Sequence, residues 1–378
     1  MHFMKTRELR STIDGGGTLR LSLEDAELPP PGRDELVVEV RAAPVNPSDL
    51  RLLLGPVDPT TLKVVGEGDS AVVEGAVPQV ALGSVAARLG QRMPVGNEGA
   101  GVVVAAGEDA RHLVGRTVAF LTARGAYATH RVVSLRDCIV FDDDVTPEQA
   151  ASAFVNPLTA LCMLETLRRE GHTALVHTAA ASNLGQMLNR LCIAEDVPLV
   201  NIVRSAEQVA LLREQGARHV VDSSAGDFVP RLTDAVRASG ATLAFDAIGG
   251  GRTASIILAA MERVGKETMS SYSAYGSPVR KQVFNYGLLD PAPRIVDLDV
   301  GTAWSIGGWL MVWELAKLDA ATVDAMKARV AREIRTTFAS HYKGGFTLTG
   351  LLSVEALSEC MRRGTNRKYL VLPNGGNA

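Results

Sequence analysis

A run of small residues between two apolar segments is the part of the sequence whose residue types best suit chemistry. The apolar segment at 174–176 is followed by Ala179, Ser182 and Gly185, and a second apolar segment lies at 199–203. Residues this small let a pyrophosphate approach the backbone and the N-terminus of a following helix. The pattern therefore predicts a dinucleotide site, although an ordinary crossover from strand to helix could have the same small-residue turn.

The residues after the second apolar segment indicate which dinucleotide would bind. A site specific for NAD usually has Asp or Glu at this point, which accepts hydrogen bonds from the ribose hydroxyls. This sequence has Arg204 and Ser205 instead. Because a cation and a hydroxyl suit a 2′-phosphate, the sequence favours NADPH over NADH. A solvated loop arginine is the alternative interpretation of Arg204.

The segments around the turn predict the elements that would position it. From about Thr146 onward, short apolar runs alternate with helical patterns, which is typical of a doubly wound parallel sheet. The stretch 147–167 is expected to be helical with a break at 156–157, because proline bars a continuous helix. Residues 1–45 instead show the period-two alternation of half-buried strands. The stretch 56–93 has no sustained period and is expected to be a long excursion with one short helix near Leu82–Leu89, of the kind that forms lids or disordered segments.

Composition and charge narrow the classes of partner. The chain has 378 residues, a formal net charge of −3 and four widely spaced cysteines. It has no dense Lys/Arg block, so we expect neither nucleic acid nor an anionic membrane surface as a partner. No apolar stretch approaches the ~20 residues of a membrane span, and the N-terminus lacks the apolar core of a signal peptide. Scattered cysteines without disulfide or metal spacing are typical of reduced thiols, so we expect a cytoplasmic protein.

Six motifs occur in an order that resembles the medium-chain dehydrogenase/reductase superfamily, in its zinc-independent quinone oxidoreductase and 2-enoyl thioester reductase branch. The matching motifs are Asn46-Pro47-Ser48-Asp49, Gly96-Asn97-Glu98-Gly99, Asn156-Pro157-Leu158-Thr159-Ala160, Ala181-Ser182-Asn183, Val203-Arg204 and Lys368. The resemblance implies an α/β fold with a doubly wound (Rossmann) NADP-binding domain and a β-rich, GroES-like, partly open barrel as catalytic domain. The expected boundaries are 1–150 for the first catalytic segment, 151–335 for the NADP-binding domain and 336–378 for the return to the catalytic domain.

The same resemblance implies a set of site residues. Asn46 would lie on the nicotinamide side, and Tyr127 matches an aromatic position that often lines the pocket, so these two are the catalytic candidates. Gly249 begins a glycine-rich turn through which a cofactor could pass. Together with it, the cofactor-binding candidates are Asn156, Thr159, Ala181, Ser182, Asn183, Leu184, Arg204, Ser205, Tyr286, Gly287, Gly308, Trp309, Leu310 and Lys368.

Metal chemistry is not expected. Zinc-dependent relatives place Cys where Asn46 stands and His where Asn97 stands, and they carry a Cys-rich lobe that is absent from this sequence. Neutral amides are poor zinc ligands. Without a Lewis acid, the expected chemistry is delivery of a hydride from NADPH to an already polarised acceptor, such as a quinone or a conjugated enone.

The sequence departs from the resemblance at one chemically important position. Enoyl reductases of this branch carry a tyrosine, to which proton donation is attributed, where Gly55-Pro56-Val57 places Val57. Tyr127, Tyr272 and Tyr275 are possible substitutes. A quinone does not need a proton donor from the protein, since water can protonate its reduced oxygens. Reduction of a quinone or an enone is therefore the leading hypothesis. The alternatives are a 2-enoyl thioester reductase with a substitute proton donor and a non-catalytic NADPH-binding relative.

Three tryptophans near one another in sequence bear on assembly. Trp304, Trp309 and Trp313 lie in a segment that the resemblance places in an edge strand, which pairs across a dimer in related proteins. Exposed edge strands invite such pairing, so we expect a homodimer. The alternative is that all three are core or lid aromatics.

Overall fold

Strands dominate the chain from Met4 to Val140, and the alternation in residues 1–45 predicts the first three of them. In the computed structural model, which describes residues 4–362 and 364–375, the chain forms two units. Unit 1 combines Met1–Val155 with Lys327–Ala378, and unit 2 is Asn156–Met326. The elements of the first segment are β1 (Met4–Ile13), β2 (Thr18–Leu28), β3 (Glu35–Pro44), α1 (Pro47–Leu54), β4 (Lys63–Val65), β5 (Val72–Ala76), β6 (Met93–Pro94), β7 (Glu98–Ala106), β8 (Thr117–Leu121), β9 (His130–Ser134), β10 (Cys138–Val140) and α2 (Pro147–Ala150).

Unit 2 alternates helices with parallel strands. The chain from Val155 to Glu333 forms α3 (Val155–Arg169), β11 (Leu175–His177), α4 (Asn183–Ala194), β12 (Leu199–Val203), α5 (Ala206–Glu214), β13 (His219–Asp222), α6 (Phe228–Ser239), β14 (Leu243–Asp246), α7 (Thr253–Glu267), β15 (Lys281–Asn285), β16 (Trp304–Gly308), α8 (Met311–Leu315) and α9 (Ala320–Glu333). Six strands form one parallel sheet in the order β13-β12-β11-β14-β15-β16. Val176, Val200, Ala244 and Val283 are fully buried in it, as expected for a sheet that helices cover on both faces.

The end of the chain completes unit 1. It forms β17 (Gly344–Thr347), α10 (Leu348–Leu351), α11 (Val354–Met361) and β18 (Tyr369–Leu372). The strands build a five-stranded sheet, β4-β5-β2-β1-β6, and a seven-stranded sheet, β10-β8-β7-β3-β18-β17, in which β9 also pairs with β3. Every pair is antiparallel except β17–β18. A β-rich unit together with a doubly wound parallel sheet confirms the predicted fold class.

The 56–93 segment is not the irregular excursion that its sequence suggests. It contributes β4, β5 and β6 to the five-stranded sheet. A 3-10 helix at Gln79–Arg88 lies between β5 and β6, where it overlaps the short helix predicted near Leu82–Leu89. The Arg88 guanidinium donates to the Leu52 carbonyl and to the Ser11 hydroxyl, both at 2.9 Å. The strands are only two to five residues long, which is too short for a period to show in the sequence.

The predicted helix break at Asn156-Pro157 is wrong. The interruption lies at 151–154, and α3 begins at Val155, so that Pro157 falls in its first turn. Proline is tolerated there because first-turn N–H groups have no intrahelical acceptor. Within the described residues, the stretch Pro147–Arg169 is, by length and composition, long and apolar enough to cross a membrane, contrary to the expectation that no apolar stretch approaches this length. Because 83% of its apolar window is buried inside the protein, it is a core segment.

Candidate functional site

The carboxyl edge of the parallel sheet in unit 2 gathers most of the predicted cofactor-binding residues. Arg204 follows β12, Tyr286 follows β15, Trp309 follows β16, and Gly249 lies three residues after β14. In a parallel sheet these ends share one edge. The strand order reverses at β11, and the crevice at such a reversal is where open α/β sheets bind their ligands. The topology therefore brings together residues that lie far apart in sequence.

The turn from β11 into α4 has the geometry of a phosphate-binding turn. Ala179 has a φ of 51°, in the left-handed region that non-glycine residues rarely adopt. Ser182 caps α4, because its hydroxyl accepts a hydrogen bond from the Gly185 backbone N–H at 3.1 Å. A Cβ at Gly185 would lie 2.2 Å from the Ala180 carbonyl oxygen, so only glycine allows α4 to start this close to the turn. Helix N-termini of this kind bind anions.

Two further glycines on this edge allow close turns, and a third leaves open space. Gly249 has a φ of 82°, and a Cβ there would lie 2.8 Å from the Gly287 carbonyl oxygen. A Cβ at Gly287 would itself lie 2.6 Å from the Ala247 carbonyl oxygen. A Cβ at Gly308 would meet no atom within 4 Å. Close turns and open space on one edge fit an extended dinucleotide.

Arg204 and Ser205 differ in how the local structure uses them. The Ser205 hydroxyl accepts from the Gln208 backbone N–H at 3.4 Å and so caps α5. The backbone N–H of Arg204 donates to the Gln208 side chain at 3.0 Å, and the Arg204 side chain is exposed. An exposed guanidinium beside a helix N-terminus can bind a phosphate.

An aspartate that the sequence did not single out holds this edge together. Asp246 is fully buried and accepts hydrogen bonds from the Thr178 hydroxyl at 2.7 Å and the Asn285 side-chain amide at 2.9 Å. It also accepts from the backbone N–H groups of Ile248 and Gly249. Asp246 therefore links the ends of β11, β14 and β15 and fixes the Gly249 turn. No sequence motif indicates these contacts, since the partners are up to 68 residues apart.

Aromatic residues close the other part of the edge. The His177 Nε2 and the Tyr286 hydroxyl lie 2.8 Å apart, and their rings are stacked with centroids 5.7 Å apart. Burial lowers the pKa of His177 to about 3, so this imidazole is neutral, and its buried Nδ1 has no hydrogen-bond partner in the described structure. Trp309 is 4% exposed, and its indole N–H donates to the Thr166 hydroxyl at 3.1 Å. Leu310, in contrast, is exposed.

The remaining candidates of unit 2 lie on α3 and α4. Asn156 and Thr159 are three residues apart in the first turns of α3, and this spacing places them on one face of the helix. Asn156 is half-buried and Thr159 is buried. Ala181 and Leu184 are buried at the start of α4, so they would offer backbone rather than side-chain contacts to a ligand.

Unit 1 contains a buried polar cluster that joins two predicted site residues. The pairing of β18 with β3 places Lys368 next to Asn46, and the Lys368 ammonium donates to Asn46 Oδ1 at 3.0 Å. Asn46 Nδ2 donates to Glu98 Oε1 at 2.8 Å. The Asp49 carboxylate accepts from the backbone N–H groups of Asn46 and Asn97, both at 2.9 Å. One amide thus connects an ammonium to a buried carboxylate.

Burial shifts the pKa values of the two acids and of the lysine in this cluster toward one another. Burial raises the pKa of Asp49 to about 7, against the effect of its backbone donors. Burial likewise raises the pKa of Glu98, while Lys368 opposes the shift. Burial lowers the pKa of Lys368 to about 8, although both carboxylates favour its charged form. Asp49 and Lys368, whose pKa values lie near neutral pH, could exchange protons during a reaction.

Tyr127 does not lie at an open surface of unit 1. Its side chain is fully buried, and its hydroxyl donates to the Pro44 carbonyl at 3.1 Å. Burial raises its pKa well above the ordinary value for tyrosine, with Asp49 contributing to the shift. An acceptor could reach this hydroxyl only if the contact with Pro44 opened, so the catalytic role of Tyr127 stays a prediction that needs such an opening.

The other two tyrosines lie away from the candidate site. Tyr272 and Tyr275 are 92% and 74% exposed. They line a cavity of about 720 Å³ before the amino ends of β15 and β16, at the opposite edge of the sheet from Tyr286. Neither tyrosine is therefore placed to act at the carboxyl edge.

Asparagine side chains occupy the positions where zinc-dependent relatives have ligands. Both ends of the Asn46 amide are hydrogen-bonded, and Asn97 Nδ2 donates to the Ser48 hydroxyl at 3.0 Å. In residues 4–362 and 364–375, no group of three or more His, Cys, Asp or Glu side chains could hold a metal ion. The expectation of zinc-free chemistry continues to rest on the donor chemistry of these amides.

Several curated proteins are similar to part of this chain, while no family model matches it. The mouse synaptic vesicle membrane protein VAT-1 homolog is 28% identical over 245 residues, which are 64% of this chain and 52% of that protein. The mitochondrial enoyl-[acyl-carrier-protein] reductase of Xenopus tropicalis is 29% identical over 214 residues, 53% of this chain and 51% of that protein. A quinone oxidoreductase of Pseudomonas aeruginosa is 31% identical over 159 residues, 41% of this chain and 49% of that protein. The chain spans about half the length of these curated relatives.

Solved structures match nearly the whole fold. A candidate NADPH:quinone reductase from Mesorhizobium loti superposes with a TM-score of 0.73 at 24% identity, covering 99% of this chain and 100% of the other. A mycobacterial protein complexed with NADPH superposes with a TM-score of 0.68 at 20% identity, covering 97% and 100%. Both similarities establish the fold, a parallel six-stranded sheet combined with a β-rich unit.

Proposed function

Because the chain belongs to the medium-chain dehydrogenase/reductase superfamily, in the quinone oxidoreductase and enoyl thioester reductase branch, we propose that it is an NADPH-dependent reductase of a quinone or an activated α,β-unsaturated carbonyl. The observation that carries this proposal is the turn from β11 into α4, where Gly185 allows a helix N-terminus to approach the backbone closely at the reversal of strand order. Arg204 stands exposed after the neighbouring strand.

The residues at the carboxyl edge of unit 2 fit a bound dinucleotide. The first turn of α4, with Ser182, Asn183 and Leu184, would offer backbone N–H groups to the pyrophosphate. Arg204 would offset the charge of a 2′-phosphate, which NADH lacks. Once bound, NADPH supplies the hydride for the acceptor.

Side chains of unit 2 would hold the turns and the aromatic rings of this edge in place around a cofactor. Asp246 fixes the Gly249 turn through two backbone hydrogen bonds. The neutral His177 holds the Tyr286 hydroxyl, and Trp309 packs edge-on against the Tyr286 ring at 6.5 Å between centroids. These contacts fix the positions of the aromatic rings at one end of the edge.

The second candidate is a non-catalytic NADPH-binding protein, and Val57 favours it. Val57 replaces the tyrosine to which proton donation is attributed in enoyl reductases, and it is only 8% exposed. A Cβ added at Gly75 would lie 2.7 Å from Val57 Cγ2, so the Val57 side chain points into the core of the five-stranded sheet. Position 57 therefore offers no acid, and a 2-enoyl thioester reductase would need another donor.

A turnover panel distinguishes these candidates. Purified protein is mixed with NADPH and a quinone, a conjugated enone or an enoyl thioester, and loss of nicotinamide absorbance is followed. We expect reduction of the quinone or the enone to be faster than reduction of the thioester. If NADPH binds and no acceptor is reduced, the reductase proposal fails and the binding protein replaces it.

We also propose a homodimer that forms through β16. This strand is the outer strand of the parallel sheet, and its residue Trp304 is 38% exposed. Trp313, which follows in α8, is 60% exposed, whereas Trp309 is buried. An exposed edge strand flanked by apolar side chains is suited to pairing with a second copy. Light scattering should give twice the mass of the 40.1 kDa chain, and a mass of one chain would contradict the dimer.

A further inference from the structure

We propose that Thr166 and Glu314 are positioning residues of the candidate cofactor site. They act through Trp309, whose indole packs against Tyr286. The inference rests on the proposed reductase function, which places Tyr286 beside the bound NADPH. Its basis is a buried series of hydrogen bonds within unit 2, from Glu314 on α8 through Thr166 on α3 to the Trp309 indole.

The chemistry of the three side chains allows only one direction for these hydrogen bonds. An indole N–H can only donate, and a carboxylate can only accept. The Thr166 hydroxyl therefore accepts from Trp309 Nε1 at 3.1 Å and donates to Glu314 Oε2 at 3.4 Å. Thr166, Trp309 and Glu314 are 0%, 4% and 5% exposed. A second orientation of the indole would leave a buried N–H group without this acceptor, which is unfavourable.

Two cations keep the Glu314 side chain ionised. Lys317 Nζ donates to Glu314 Oε1 at 2.6 Å, and the Arg169 guanidinium donates to Glu314 Oε2. Burial raises the pKa of Glu314, but the hydrogen bonds from Lys317 and Arg169 outweigh burial and hold this pKa below its ordinary value. Glu314 is therefore a carboxylate at neutral pH and can accept from the Thr166 hydroxyl.

Trp309 connects these hydrogen bonds to the carboxyl edge of the sheet. Its backbone N–H donates to the Asn285 carbonyl at 2.9 Å, which ties the residue to the end of β15. Its indole packs edge-on against Phe245 and Tyr286, with ring centroids 5.3 and 6.5 Å apart. Edge-to-face contacts depend on the angle between the rings. The hydrogen bond to Thr166 thus selects the indole orientation that makes both contacts.

Tyr286 is the most exposed member of this group and is supported from two sides. It is half-buried, whereas His177 is fully buried and Trp309 nearly so. Its hydroxyl lies 2.8 Å from His177 Nε2, and the Trp309 indole covers another side of its ring. If the indole turns away, one support is lost. Only the fraction of molecules that keeps the ring in place would then bind NADPH with full affinity.

The first test observes the Trp309 indole directly. The full chain is labelled with 5-fluorotryptophan, and the fluorine resonances of its three tryptophans are assigned with Trp304→Phe, Trp309→Phe and Trp313→Phe. We expect one sharp Trp309 resonance in the wild type and in Thr166→Ser, which keeps the hydroxyl. Thr166→Val has nearly the same shape but no hydroxyl, so its Trp309 resonance should broaden or split. A single sharp Trp309 resonance in Thr166→Val would overturn the proposal.

The second test measures NADPH binding by nicotinamide fluorescence. Thr166→Val should raise the NADPH dissociation constant about two- to tenfold, which corresponds to one hydrogen bond between uncharged groups. Thr166→Ser should restore wild-type binding. The matched control is Thr233→Val, because the Thr233 hydroxyl is similarly buried and donates to the Val229 carbonyl within α6 at 2.9 Å. We expect this control to bind NADPH as the wild type does.

A double-mutant cycle tests whether Glu314 acts through Thr166. Glu314→Gln replaces the carboxylate with a weaker, neutral acceptor, so by itself it should weaken NADPH binding. Combined with Thr166→Val, it should not change the NADPH dissociation constant further, because the hydroxyl that joins Glu314 to the indole is gone. Additive effects of the two substitutions would overturn the role of Glu314.

The outcomes separate the positioning residues from the reductase. Equal weakening of NADPH binding by Thr166→Val and Thr233→Val, or wild-type binding by Thr166→Val, would overturn the positioning role and leave the cofactor site standing. The wild type decides the matter even if a variant does not fold. NADPH should shift its Trp309 resonance and not that of Trp304, at the amino end of β16; a Trp309 resonance that ignores bound NADPH would overturn the proposal. If the wild type does not bind NADPH, the proposed function fails and the positioning role fails with it.

Discussion

Gly185 is the position where the smallest change should have the largest effect on the candidate site. In Gly185→Ala, the new Cβ would lie 2.2 Å from the oxygen, 2.6 Å from the carbon and 2.7 Å from the Cα of Ala180. All three atoms are backbone, so no flexible side chain can move aside, and α4 must shift away from the turn. Overpacking of this kind costs about 1–3 kcal/mol. For a unit of this size each kcal/mol lowers the melting temperature by about 2–4 °C, so we expect a decrease of about 2–12 °C.

Differential scanning fluorimetry and NADPH titration measure both consequences of this substitution. Gly226→Ala is the matched control, because a Cβ at Gly226 meets nothing within 4 Å in the same unit. We expect the control to melt and bind as the wild type does, and Gly185→Ala to bind NADPH at least about tenfold more weakly through loss of the helix N-terminus contact. If Gly185→Ala melts within a degree of the control and binds NADPH normally, α4 does not pack on the turn as described.

Two further substitutions test the buried polar groups. Asp246→Ala leaves four buried donors without their acceptor and should lower the free energy of unfolding in urea by about 2–4 kcal/mol. The control Asp227→Ala, at a half-exposed ion pair, should lower it by less than about 1 kcal/mol. Equal losses would contradict the role of Asp246. The Asp49 carboxyl binds its proton more tightly in the folded state, with a pKa of about 7 against 3.8, so its contribution to stability is present below pH 4 and is lost as the pH rises to 7. The difference in unfolding free energy between wild type and Asp49→Asn should therefore decline over this interval, and a constant difference would contradict the raised pKa.

The fold was largely predictable from local patterns. Alternation of apolar runs and helical segments after Thr146 predicts the parallel sheet, and the structure confirms it. The errors came from short-range rules applied without context. Pro157 does not break a helix because it lies in the first turn of α3, and the strands within 56–93 are too short to show a period.

The sequence can indicate a candidate site where its motif is contiguous, but not where topology assembles it. The turn at Ala179–Gly185 is contiguous, so small residues could indicate its role. The hydrogen bonds that join Glu98, Asn46 and Lys368 could not be predicted, because Asn46 lies 52 residues from Glu98 and 322 residues from Lys368. The same holds for Asp246, since its acceptor role depends on β11, β14 and β15 ending at one edge.

The central claim, a site for NADPH on unit 2, is tested most directly by a paired titration of the apoprotein with NADPH and NADH. Nicotinamide fluorescence is followed for wild type, Arg204→Ala and the control Arg218→Ala, which removes an exposed arginine before the amino end of β13. We expect NADPH to bind more tightly than NADH, and Arg204→Ala to remove about ten- to a hundredfold of that preference, as for a charged hydrogen bond of roughly 1.5–3 kcal/mol. Arg218→Ala should retain it. Binding of neither nucleotide by the wild type would show that the turn after β11 is an ordinary crossover and would contradict the account.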